Sequence, residues 1–217
     1  LPYLGSFHSS NPRLDSIWMT GAYTAHLNMQ NYLWDGIKRD RLVWMGDAHP
    51  ELRTILSVFG DNEVLRKTFD QARDQTPLPG WMNGICAYSL WWILIHRDYY
   101  NYTGDRAYLT EQQQYLEGLL LQVIESVDEQ GREHLQGGGR FLDWPTSKNK
   151  PAVNAGLQAL VVMSLEAGEQ LMQVLNNDSL ASRCQVTVER MRQAIPDYKQ
   201  SKQSAALAAL AGLATPE

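Results

Sequence analysis

The sequence predicts an all-α protein built as a series of helical hairpins. Three observations carry this. Apolar residues recur at three- and four-residue spacing through nearly every segment. Capping residues or glycines punctuate those segments at helix-length intervals. Short alternating runs appear only in the glycine-rich stretch 128–145, which reads as a loop with at most a small hairpin.

In chain order, Asn11-Pro12 is a helix start, with Asn as N-cap and Pro in the first turn. Leu14, Ile17, Trp18, Gly21, Thr24, Ala25 and Asn28 then share one face, and the helix should run to about Leu33. A charged segment follows. Pro50 opens the next helix, which carries Leu52, Ile55, Leu56 and Phe59 and stops at Gly60. Asp61 caps a helix through Val64, Leu65 and Phe69. Pro77-Leu-Pro-Gly80 is a rigid turn. Residues 84–103 form a long apolar helix ended by Gly104, and Asp105 caps the one after it. Helices over 154–175, 180–194 and 202–213 complete a count of about eight. No 34- or 40-residue repeat appears, which argues against TPR or HEAT arrays.

Short connections make neighbouring helices antiparallel. The three long connections, 34–47, 77–83 and 137–146, should therefore open on one end of the assembly. Each is marked by tryptophan: Trp34 and Trp44, Trp81, and Trp144.

At 217 residues the chain fits one domain with a sizeable core. Its 19 basic and 24 acidic residues form no long basic run, so neither nucleic acid nor an anionic membrane surface is indicated as a partner. No apolar stretch reaches the roughly 18 residues of a membrane span. Cys86 and Cys184 lack any metal-ligand spacing and read as small buried helix residues. The five histidines form no paired ligand spacing, and His49, just past the motif, reads as a surface or helix-start residue ahead of a pocket residue. No nucleotide, phosphate-loop or nucleophile-elbow motif occurs, and no cofactor is implied.

The densest chemistry lies in DGIKRDRLVWMGD, residues 35–47. Asp35, Asp40 and Asp47 are five and seven residues apart, across glycines at 36 and 46, so a loop must gather them. Carboxylates held together raise one another's pKa, and one can stay protonated as an acid catalyst requires. An indole offers a flat apolar face to sugar C–H groups, while Asp and Arg suit vicinal hydroxyls. The same residues also suit a salt-bridged loop with Asp40 between two arginines.

This segment resembles the acid-catalyst stretch of α-L-rhamnosidases: an aspartate, then Arg, an acid followed by Arg, a tryptophan four residues past the acid, and a closing Gly-Asp. Trp18-Met-Thr-Gly21, Leu27-Asn-Met-Gln30, Gly80-Trp81, Tyr102-Thr-Gly-Asp105 and Asp143-Trp144 fit the same family. The resemblance covers most of the chain. It implies an (α/α)6 barrel of six hairpins that hydrolyses terminal α-L-rhamnosides with inversion. It places Asp40 as general acid, Asp35, Arg39 and Asp47 as sugar-binding residues, and Trp44 as a stacking residue. Trp81, Asp143 and Trp144 match its pocket wall. The implied partner is a rhamnose-containing glycoside or polysaccharide, together with the remaining domains of the same polypeptide.

Two departures stand out. Most relatives carry Glu where this chain has Asp40, which draws the carboxyl back by about one C–C bond, about 1.5 Å. The family's general base is a glutamate late in the barrel. Twelve helices with their loops need roughly 250 residues, so the expectation is that residues 1–217 form the N-terminal portion of one catalytic domain, with no second domain and with the base outside it. Glu133 is a minor internal candidate for that base. Two other readings stay open: a sugar-binding or structural barrel that has lost catalysis, and a related six-hairpin glycosidase for a different sugar.

Overall fold

The computed structural model describes residues 1–214, so Glu217, the last residue of the expected domain, lies outside the described residues. Among them are eight helices: α1 (Pro12–Asn28), α2 (Ala48–Phe59), α3 (Glu63–Asp74), α4 (Cys86–Thr103), α5 (Arg106–Glu125), α6 (Lys150–Val174), α7 (Asp178–Met191) and α8 (Lys202–Leu210). Short 3-10 turns occupy Met82–Gly84 and Tyr198–Gln200. No strand forms among the described residues; isolated bridges pair Met29 with Leu33, Ile85 with Gly139 and Val127 with Glu133.

Local chemistry sets most of the helix starts. Side-chain oxygens of Asn11, Asp105, Asn149, Asn177 and Ser201 each accept an otherwise orphaned N–H in the first turn. α3 is capped by Asn62 rather than Asp61. Asp61 instead accepts from Tyr99 Oη at 2.6 Å and Arg66 at 2.7 Å, a tertiary tie stronger than a cap. α4 has no side-chain cap, and the Gly139 carbonyl takes the Cys86 N–H at 3.1 Å. Gly104 closes α4 in the left-handed conformation, which glycine adopts without a Cβ penalty.

α1 ends at Asn28, short of the predicted Leu33. The Asn28 carbonyl accepts from Gln30 and Trp34 N–H groups, and Leu33 N–H donates to Thr68 Oγ1 at 2.8 Å, so the turn buries Leu33. The buried stripe of α1 is Ala22, Ala25 and Asn28. Leu14 and Ile17, predicted to face the core, are 46% and 58% exposed. A helix with apolar residues on more than one stripe leaves the choice to its neighbour, here α2.

α4–α5 and α6–α7 pack as hairpins, and α3 follows α2 across the short connection 60–62. α2, α4, α6 and α8 stand as a row of neighbours, and α6 is the most surrounded, touching α4, α5, α7 and α8. Gly156 and Gly168 make that possible: a Cβ at either would lie 2.4 or 2.3 Å from side-chain carbons of Leu142 and Leu120. Trp92, Phe69, Leu65, Leu116 and Leu160 are among the fully buried side chains. Cys86 and Cys184 are buried and unpaired, as their helical positions predict. No helix among the described residues is long and apolar enough to cross a membrane.

Because direction alternates, the short connections 60–62, 104–105 and 175–177 fall at one end, and 29–47, 75–85, 126–149 and 192–201 at the other. The long ones are stitched edge to edge. Asn83 accepts from Met45 N–H at 3.1 Å and donates to the Val43 carbonyl at 2.9 Å. Gly139 N–H donates to the Gly84 carbonyl at 2.7 Å, and Trp81 Nε1–H to Gln136 at 2.7 Å. Asn149 donates to the Gln200 carbonyl at 3.0 Å. The result is one continuous rim.

Candidate functional site

The rim gathers Asp35, Trp44 and Asp47 from the first long connection, Glu51 from the first turn of α2, and Tyr88 from the first turn of α4. Asp35 closes its own loop: its N–H donates to the Leu42 carbonyl at 3.1 Å, and its carboxylate accepts weakly from Leu42 N–H at 3.4 Å. Asp47 occupies the N-cap position of α2, yet its helical backbone angles leave its carboxylate without a capping bond. That carboxylate is therefore free to face the site. Glu51 lies one turn further along the same face.

Gly46 fits this packing for a steric reason. A Cβ there would sit 2.2 Å from Tyr88 Cε1, so only glycine lets the Tyr88 ring lie against the loop. Trp44 meets the same ring edge-on at 6.2 Å. Tyr88 is 8% exposed, and its hydroxyl makes no hydrogen bond with a described residue. The buried Trp44 Nε1–H also lacks an acceptor among them.

The electrostatics tie these groups together. Burial, and then the charge of Asp35, raises the Asp47 carboxyl above its usual range. Burial, followed by Asp47 and Asp35, pushes Glu51 up to about 8. The same causes push the Tyr88 phenol up to about 12. At neutral pH the cluster thus holds a protonated carboxyl, Glu51, on the helix that Asp47 opens.

Asp40 stands apart from that cluster. It is exposed and paired with Arg39 at 3.3 Å. Asp40 and Arg41 both have positive φ, 28° and 54°, a backbone region that non-glycine residues occupy at a cost of about 1–3 kcal/mol and that concentrates at functional sites. Arg41 Nε–H is held by the Ile37 carbonyl at 3.0 Å.

The three residues expected at a pocket wall are placed differently. Trp81 is buried in the seam between connections, its ring against Gly138 and its N–H bonded to Gln136. Asp143 accepts from Thr146 N–H at 2.8 Å and from the Thr146 hydroxyl, pinning a turn. Trp144 is 82% exposed, with its ring edge-on to Phe141 at 5.2 Å. His49 reaches from α2 to α4, bonding Asp98 at 3.0 Å and lying against Trp91 at 5.0 Å.

A cavity of about 720 Å³ opens one seam further along, between 132–140, α6 and 193–196. Glu133 there is gripped by both terminal nitrogens of Arg140, which also bonds Asn154 and the Leu135 carbonyl. A carboxylate so committed is not free to activate water. No group of three or more His, Cys, Asp or Glu among the described residues is arranged to hold a metal ion.

Glu51 and Tyr88 escape sequence reasoning. Glu51 reads as an ordinary acidic residue in a helix's first turn, where the helix dipole favours it. Its one signal is its position four residues past Asp47. Tyr88 lies inside an apolar helix and carries no signal at all.

The family described as the bacterial alpha-L-rhamnosidase 6 hairpin glycosidase domain matches residues 2–208. Among solved structures, a GH78 family rhamnosidase of Bacillus sp. GL1 matches with a TM-score of 0.83 at 22% sequence identity, a likeness that shows the fold. The match takes in 98% of this chain and 26% of that one, so the chain spans about a quarter of that protein's length. No curated protein matches.

Proposed function

The chain belongs to the bacterial α-L-rhamnosidase six-hairpin glycosidase family, and from that premise we propose that it forms the acid-bearing part of an inverting glycoside hydrolase acting on terminal α-L-rhamnosides. The observation that carries the reading is the rim cluster: two aspartates, a protonated carboxyl and an indole edge, gathered beside the motif loop.

In this reading Asp40 protonates the leaving oxygen as the glycosidic bond breaks. Its place on an exposed loop lets it meet an oxygen at the mouth of the site. Asp35, Arg39 and Asp47 hold ring hydroxyls, and Trp44 offers an apolar surface. Trp81 and Asp143 act through the rim they brace, since their polar atoms are already bonded. Trp144 lies at the outer surface, where the aglycone side of a larger substrate would pass. Inversion requires a second carboxylate about 6.5–9.5 Å from the acid, to activate water on the opposite face.

One observation favours a second reading, a sugar-binding barrel without catalysis. Asp40 is paired with Arg39 and exposed, whereas the proton is held at Glu51. Hydrolysis of p-nitrophenyl α-L-rhamnoside by the full-length protein, wild type beside Asp40→Asn, separates the two. A loss of about 10²-fold or more in the variant is expected, since general acid catalysis contributes 10²–10⁴-fold. Equal turnover by both removes Asp40 from the acid role. Binding of rhamnose without turnover by either protein supports the second reading.

A further inference from the structure

We propose that Glu51 and Tyr88 are direct ligands of the bound sugar, two hydrogen-bond donors set opposite the acceptors Asp35 and Asp47, and that together they select a substrate hydroxyl. The proposal rests on the sugar-site reading above and goes beyond the residues that the motif marks.

The geometry is the first ground. Glu51 follows Asp47 by one helical turn and makes no hydrogen bond or ion pair with a described residue. Tyr88 is more than nine-tenths buried, packed between Trp44 and the bare backbone of Gly46, and its hydroxyl too is without a protein partner. A hydroxyl held in place beside two carboxylates, yet bonded to neither, is set for something that enters between them.

The second ground is the match of chemistry. A sugar hydroxyl both donates and accepts. The carboxylate oxygens of Asp35 and Asp47 are acceptors, so they serve its hydrogen. Its oxygen needs a donor, and beside Arg39 the site offers Glu51, Tyr88 and the orphaned Trp44 N–H. Glu51 can act this way because its surroundings keep it protonated at neutral pH. The charged groups acting on it are Asp47 and Asp35 from the loop, the same two that act on Tyr88 from α4. On α2 itself, His49 is turned to Asp98 and Arg53 is exposed. On α1, His26 packs on Phe59 at the far end of α2. No cation among these is placed to ionise Glu51.

Calorimetric titration of the full-length protein with L-rhamnose tests this, using wild type, Glu51→Gln and Tyr88→Phe at about pH 6.5 and about pH 9.5, either side of the value of about 8 at which Glu51 ionises. Wild-type affinity should fall about tenfold across that interval, because a donor becomes a charged acceptor. Glu51→Gln, which keeps an amide donor at every pH, should bind equally at both. Tyr88→Phe should bind several-fold more weakly at both pH values while keeping the wild-type pH dependence. Superimposable wild-type and Glu51→Gln profiles, or undiminished binding by Tyr88→Phe, overturn the proposal. Circular dichroism checks each fold; if Glu51→Gln does not fold, Tyr88→Phe decides alone. A wild type that binds L-fucose or D-mannose but not L-rhamnose sinks the rhamnoside reading, and the same variants then decide this proposal on that sugar. A wild type that binds none of the three overturns both.

Discussion

Replacing Glu51 by glutamine should make the protein more stable, by an amount that depends on pH. The fold keeps this carboxyl protonated up to about 8, against an ordinary value of 4.5. Between those values the folded chain binds more protons than the unfolded chain, so wild-type stability falls as pH rises through the window. Below 4.5 the group costs nothing; above 8 its cost is complete. At pH 7 the gap from 4.5, at about 1.4 kcal/mol per pH unit, sets a ceiling of about 3 kcal/mol. Glu51 keeps some contact with solvent, which brings the expected gain to about 2 kcal/mol. For a chain of this size that is a rise in melting midpoint of about 4–8 °C. Thermal and urea unfolding of wild type and Glu51→Gln at about pH 4 and about pH 7, followed by tryptophan fluorescence, measures it. The gain should be near zero at the lower pH. A variant no more stable at pH 7, or one whose advantage is the same at both pH values, refutes the burial and charge argument.

Two further outcomes follow from the same structure. His96 is 1% exposed, and burial is the main cause that holds its imidazole down to about 4, so it is neutral in the fold and binds a proton more readily when unfolded. Wild-type stability should therefore fall as pH drops from 6.5 toward 4, by about 2 kcal/mol at pH 5, and His96→Phe should lose that part of the slope in urea melts; parallel curves would count against it. Gly46→Ala drives a methyl into the Tyr88 ring and should cost about 1–3 kcal/mol. It should also weaken L-rhamnose binding about tenfold in calorimetry, and wild-type affinity in this variant would show that Tyr88 does not shape the site.

The hairpins were legible because their signals are local. Gly60 and Gly104, Asp105 and the Pro12 start each act within a turn or two of chain, so composition announces them. The gathering of the long connections at one end follows from helix direction alone. The misses share a cause as well. Asp61 has the chemistry of a cap, yet it is taken by Arg66 one turn on and by Tyr99, which only the fold brings near. Leu14 and Ile17 have the spacing of a core face, yet the neighbour chose the stripe of Ala22 and Ala25.

The site divides along the same line. Periodicity, caps and turn residues determined an all-α chain of about eight helices, and one thirteen-residue segment pointed to carbohydrate chemistry and to a family. Only the tertiary structure decided that burial raises Glu51, that Trp81 braces a seam, and that Tyr88 packs against the motif loop. The physical reason is range. Helix signals are written in backbone hydrogen bonds a few residues apart. A pKa or an unpartnered hydroxyl depends on burial and on charges brought together from distant parts of the chain, as Tyr88 is brought against Gly46, Asp35 and Asp47.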